Sequence, residues 1–305
     1  MVFTRSETSP EPPSRPTAVP WRRYVALGDS FTEGLWDVAD GDPPATAEAE
    51  PPGLVLRGWA DLLAAHLADR LRGVGPDDGA QPEPAGPDDG AQLQYANLAV
   101  RGRLLGHILG EQVPQAIALG ADLVSLVGGG NDTLRVGSDP DRLAARLEAA
   151  VVRLRASGAD VLLATGMDSR DSPLVRANRP RVAVLNSHVW SIARRHGAHV
   201  LDVWGMRSLR DWRMWHADRI HLTTEGHRRV AQGALVALGL PPDDDAWDDP
   251  LTPLPPPPRS ARARADAEWL RLHAVPWATR RLRGRSSGDR RVAKRPDLTP
   301  VLPAL

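Results

Sequence analysis

With 305 residues and a formal net charge of zero, the chain is long enough for one sizeable α/β domain with tails. Its 42% apolar and 25% charged shares are ordinary for a globular protein, and the balanced charge supplies no general field to attract nucleic acid or an anionic membrane. The absence of cysteine excludes disulfides, a thiolate nucleophile and a zinc–thiolate site, and Lys294 is the sole lysine among 38 basic residues.

Residues 1–22 are rich in proline and polar side chains and lack the apolar segment of a secretory signal, so they read as a disordered leader. No apolar run reaches the roughly eighteen residues that a membrane span needs; the cytoplasm is the expected compartment and no transmembrane segment is expected.

From Arg23 onward, short apolar runs alternate with longer amphipathic stretches. YVALG (24–28) is a candidate first strand ending on a glycine turn. RGWADLLAAHLADRL (57–71) repeats apolar residues at helical spacing. GPDDGAQ occurs at 75–81 and again at 86–92, inside a stretch of about 73–93 that reads as a disordered insertion rather than a calcium loop. YANLAV (95–100) suits a strand, and 104–119 a helix interrupted at Pro114. DLVSLVGGG (122–130) is a third strand running into glycines. The Asp-Pro pair at 139–140 opens a helix to 157, 160–166 is a strand, 181–197 a helix, 198–204 a strand and 223–239 a final helix. Five strands alternating with helices predict a central parallel sheet covered on both faces, with its site at the carboxyl ends of the strands.

After Leu240 the composition changes. Residues 241–258 form an acid- and proline-rich linker, followed by an arginine-rich extension over 259–305. The extension's basic charge with Trp269 and Trp277 suits either an acidic partner or membrane surface, or tryptophans packed on the domain with solvated arginines.

Ser30 stands between the first apolar run and a helical start, where it suits either a nucleophile or, like Asp29, a helix cap. Asp218 precedes His221 by three residues, ahead of a helix capped by Thr223 or Thr224; that spacing lets a carboxylate orient an imidazole toward a serine. His216 is an alternative base without an orienting acid at matching spacing, and His227 suits packing within the helix. Trp36, Trp212 and Trp215 could stack on sugar rings. GRSSG (284–288) fits the nucleophile-elbow pattern but follows no strand, and NDT (131–133) fits a glycosylation site without a secretory signal; both are set aside as chance.

GDSFTEG, NLAVRG (97–102), GGND (129–132) and DRIH (218–221) occur in this order, and together they resemble the four sequence blocks of the SGNH, or GDSL-type, hydrolases over roughly residues 23–240. The resemblance implies a flavodoxin-like three-layer α/β/α sandwich. It implies Ser30 as nucleophile, His221 as general base and Asp218 as its orienting acid. The oxyanion hole would comprise the N–H groups of Ser30 and Gly102 and the amide of Asn131. Asp29, Asp132 and Asn97 are read as residues that fix loops. The expected activity is hydrolysis of a small-molecule carboxylic ester with no cofactor or metal, in a monomer. A carbohydrate O-acetyl esterase, an acyltransferase and a catalytically silent binding module are the competing readings.

Overall fold

The computed structural model describes residues 19–301, apart from 40, 45, 47–49, 52, 74–91, 170, 171, 173 and 174. Both GPDDGAQ copies and the insertion expected at 73–93 lie outside the described residues except at their ends. The elements run β1 (Arg23–Leu27), α1 (Ser30–Glu33), α2 (Trp59–Leu71), β2 (Gln94–Asn97), α3 (Leu105–His107), α4 (Val113–Ala118), β3 (Leu123–Leu126), α5 (Gly130–Thr133), α6 (Pro140–Ala156) and β4 (Asp160–Ala164). They continue with α7 (Arg179–His196), β5 (His199–Leu201), α8 (Thr224–Ala237), α9 (Arg259–Trp269), α10 (Val275–Leu282) and β6 (Arg295–Pro300).

The sheet order is β5-β4-β3-β1-β2-β6. The first five strands are parallel and β6 joins β2 antiparallel, so the expected five-stranded sheet has a sixth strand. Pro296 and Pro300 conceal this strand in the sequence; an edge position tolerates them because only one side of β6 is paired.

Alternation along β1 divides the core. Tyr24 and Ala26 face a layer containing α2 and α8, with Trp59, Leu63, Leu67, Val230 and Ala234. Val25 and Leu27 face the opposite layer of α4, α6 and α7, with Val113, Leu147, Val151, Val189 and Ile192. Burial of both faces explains why the strands read as continuous apolar runs.

The cap residues follow their chemistry. Asp139 accepts hydrogen bonds from the Asp141 and Arg142 amides at the start of α6, with Pro140 filling a position that needs no donor. Thr223 caps α8 through the Gly226 amide. The helix expected at 104–119 is instead divided into α3 and α4 by a π-turn over Ile108–Gln112, just before Pro114.

Residues 1–18 of the expected leader lie outside the described residues, and both ends of the described segment pack more closely than their composition suggests. Within the segment read as a leader, Val19 and Trp21 are buried, and the Trp21 indole donates to Asp160. Lys294 donates to the Glu33 and Leu56 carbonyls and to the Asp61 carboxylate, tying the chain ahead of β6 to α1 and α2. No helix among the described residues is long and apolar enough to cross a membrane.

Candidate active site

The site lies where the strand order reverses, between the carboxyl ends of β1 and β3, the position at which open α/β sheets form a crevice. Ser30 is the first residue of α1, separated from β1 by Gly28 and Asp29. Asp29 caps this helix by accepting from the Phe31 amide, and Ser30 Oγ lies 3.0 Å from His221 Nε2. Gln112, in the π-turn, bonds the backbone of Gly28 through both ends of its side chain: Oε1 accepts from the Gly28 N–H at 2.8 Å and Nε2 donates to its carbonyl at 3.0 Å. This buried pair fixes the strand end that presents Ser30.

His221 Nδ1 is 2.7 Å from Asp218 Oδ2. The other carboxylate oxygen, Oδ1, accepts from the amides of Ile220 and His221, both at 3.0 Å, so the i to i+3 spacing closes the loop on itself. A further donor comes from far away in sequence: Trp36 Nε1 donates to Asp218 Oδ2 at 2.7 Å. Burial opposes ionisation of Asp218, but the neighbouring His221 and His216 together with the backbone amide hold its carboxyl well below the ordinary range.

His216 does not take the base position. Its ring accepts from the Asp218 amide at 3.3 Å and stacks on Trp36. His227 is buried in α8, where Nδ1 accepts from the Trp59 amide; burial lowers its pKa to about 3 and keeps it neutral. The structure therefore brings Ser30, His221 and Asp218 into one hydrogen-bonded chain.

The remaining predicted residues line the loops after β2 and β3. Gly102 has φ +73°, and a Cβ there would stand 2.0 Å from Ser286 Oγ, so the close approach that demands glycine is made by the C-terminal segment. A Cβ on Gly288 would meet the Arg101 carbonyl at 1.9 Å, so GRSSG serves as a turn packed against the loop after β2. Arg101, immediately before Gly102, is buried and pairs through two nitrogens with Glu33, and its own amide donates to the same carboxylate.

Asn131 Nδ2 donates to Asp29 Oδ2 at 3.0 Å and to the Arg103 carbonyl at 3.1 Å. Both of its protons are thus engaged, and donation to an oxyanion requires one of them to turn from its present acceptor. Asp132 accepts from the Leu105 amide, while Asn97 bonds the Thr32 carbonyl and the Ala99 amide; each joins neighbouring loops. Burial raises the Asp29 pKa to about 6 against the opposing pull of the Phe31 amide and His221.

A cavity of about 170 Å³ opens beside Ser30 and His221 and runs between the ends of β3 and β4 and the inner face of α7. Val127, Met167, Val175, Val182, Leu185 and Val189 give it a largely apolar lining. Of the three tryptophans considered for sugar stacking, Trp36 is buried and engaged with Asp218, Trp215 donates to the Leu209 carbonyl, and Trp212 is 43% exposed.

Sequence reasoning places Trp36 near the cleft for sugar stacking rather than as a donor to Asp218, sets aside GRSSG, which contains Ser286, as chance, and misses Gln112. Their contacts join positions remote in sequence, and for Gln112 the local sign is the Pro114 that accompanies the π-turn.

Solved structures share this fold. TesA matches with a TM-score of 0.50 and 22% identity, covering 71% of this chain and 98% of that one. An acetyl xylan esterase variant from Geobacillus stearothermophilus matches with a TM-score of 0.54 and 17% identity, covering 74% and 98%. A putative GDSL-like lipase from Parabacteroides merdae gives a TM-score of 0.53 and 13% identity, covering 72% and 95%. No curated protein matches the chain. The family model for GDSL-like lipases and acylhydrolases matches residues 26–229, a span containing all four sequence blocks, and the chain belongs to that family.

Proposed function

We propose that the protein is a serine hydrolase that cleaves carboxylic esters through an acyl-enzyme intermediate. The observation that carries this reading is the continuous chain from Ser30 Oγ to His221 Nε2, 3.0 Å, and from His221 Nδ1 to Asp218 Oδ2, 2.7 Å, at the mouth of an apolar cavity.

In the first step His221 Nε2 accepts the Ser30 hydroxyl proton as Oγ bonds to the ester carbonyl carbon. The carbonyl oxygen becomes an oxyanion, received by the N–H groups of Ser30 and Gly102 and by an Asn131 proton released from its present acceptor. Collapse breaks the bond to the alkoxy group, which leaves as the alcohol with the proton from His221. Water then attacks the acyl-enzyme by the same route, giving the carboxylic acid and restoring Ser30. Asp218 remains ionised throughout, orienting the imidazole and balancing its transient charge.

The lining of Val127, Val182, Leu185 and Val189 supports an acyl chain longer than acetyl in the cavity. Acyl transfer would use the same intermediate with an alcohol in place of water. A panel of p-nitrophenyl esters of increasing acyl length, run beside sugar acetates and a Ser30→Ala control, tests the reading. Turnover that rises beyond acetate and vanishes in the control supports it. A preference for sugar acetates favours a carbohydrate O-acetyl esterase, and full turnover in the control refutes the serine mechanism.

A further inference from the structure

Asp218 is held by two indoles, one from within the family span and one from beyond it. Trp36 Nε1 donates to its Oδ2 at 2.7 Å, the oxygen that His221 also contacts, and Trp269 Nε1 donates to its backbone carbonyl at 2.9 Å. Both tryptophans are buried. Trp269 ends α9, beyond residues 26–229.

Backbone geometry at two positions indicates that these contacts are selected against local preference. Trp36 has φ +73° and Arg219 has φ +60°, in the left-handed region that bulky side chains avoid. The Trp36 ring is held in place by stacking on His216 at 5.3 Å, with its N–H aimed at the carboxylate. The Arg219 guanidinium pairs with Asp266 of α9 at 2.7 Å and lies 5.0 Å from the centre of the Trp269 ring. The C-terminal helix therefore grips both the Asp218 carbonyl and the strained residue after it.

We propose that Trp36 and Trp269 are positioning residues of the proton relay, acting through Asp218, and that the C-terminal segment is a working part of the catalytic site. The proposal rests on the Ser30–His221–Asp218 reading. Trp36 fixes the carboxylate rotamer and shares the charge of the oxygen that faces His221. Trp269 fixes the backbone that carries the carboxylate.

Loss of the Trp36 N–H leaves that oxygen's charge directed mainly at the His221 imidazole at 2.7 Å, with His216 Nδ1 farther off at 3.7 Å. The imidazolium is then held more firmly and releases its proton to the leaving group less readily, while the neutral base appears only at higher pH. The other titratable or charged groups facing this relay include His216 and Arg219 in the same loop, Asp29 after β1, His227 of α8, Asp266 of α9 and His273 just beyond it.

The test compares full-length wild type, Trp36→Phe, Trp269→Phe, their combination and Ser30→Ala with one ester from pH 5 to 9, alongside thermal melts. Trp36→Phe is expected to lower kcat about tenfold to a hundredfold at nearly constant KM and to move the acidic limb of kcat/KM up by about half a unit. Trp269→Phe is expected to lower kcat about threefold to tenfold, and the double variant to depart from the product of the single effects because both act on Asp218. A folded Trp36→Phe protein with wild-type kcat and an unmoved limb overturns the proposal. If Trp36→Phe does not fold, Trp269→Phe decides: lower kcat at constant KM supports the proposal and wild-type kcat overturns it. Full activity in Ser30→Ala instead overturns the underlying site reading; an inert Ser30→Ala with an unaffected Trp36→Phe overturns the tryptophan proposal alone.

Discussion

The side-chain amide of Gln112 bonds both the N–H and the carbonyl of Gly28, joining a π-turn to the strand end that presents Ser30. Both partners are buried, so removing the amide strands two backbone groups without water. Gln112→Leu is expected to lower unfolding free energy by about 2–4 kcal/mol, by the usual cost of unsatisfied buried groups. It should also lower kcat more than it raises KM, because the displaced strand end carries the nucleophile. Chemical denaturation and ester kinetics on one preparation measure both effects.

The oxyanion loops offer a separate test. Gly102→Ala introduces a Cβ at a φ of +73° and against Ser286 Oγ. Its loss of activity should have a steric part that Ser286→Gly relieves and a backbone part that it does not. A double-mutant cycle in kcat/KM should therefore give a positive coupling, whereas independent effects would separate the C-terminal turn from this loop. Asn131→Ala should reduce kcat about a hundredfold to a thousandfold, the usual cost of one oxyanion donor, with little change in KM.

Asp29 makes stability depend on pH in a defined direction. Its folded pKa of about 6 exceeds the ordinary carboxylate value of 3.8, so its contribution favours folding fully below 3.8 and is lost as pH rises through about 6. Asp29→Asn removes this titration. The stability of the variant relative to wild type should improve by on the order of 1–3 kcal/mol between pH 4 and pH 8, measured by urea denaturation. A difference independent of pH would contradict the assignment.

Lys294 tests how firmly the C-terminal segment is tied down. Burial raises the Asp61 pKa, and Lys294 opposes that rise from 2.7 Å. Lys294→Met is expected to destabilise the fold by about 1–3 kcal/mol, because the half-buried Asp61 carboxylate loses its lysine partner. Adding Asp61→Asn should recover part of the loss in thermal melts.

Periodicity and end residues made the five parallel strands and the α6 and α8 caps legible, because those features depend on neighbours within a few positions. The order of four short blocks pointed to Ser30, Gly102, Asn131, Asp218 and His221, which the fold brings to one end of the sheet. Long-range support was hidden. Nothing near Trp36 announces an indole aimed at Asp218, and prolines disguise β6 as a tail. Trp21, in a stretch read as leader, gains its burial and its Asp160 partner only after the sheet has formed.

The most direct measurement is covalent. A fluorophosphonate incubated with the folded full-length protein should add one phosphonyl group, located by peptide mass spectrometry on Ser30, with ester turnover lost in proportion. Ser30→Ala should take up none. Ester turnover that persists in protein fully labelled at Ser30, or an adduct on another serine such as Ser286, would contradict Ser30 as the nucleophile.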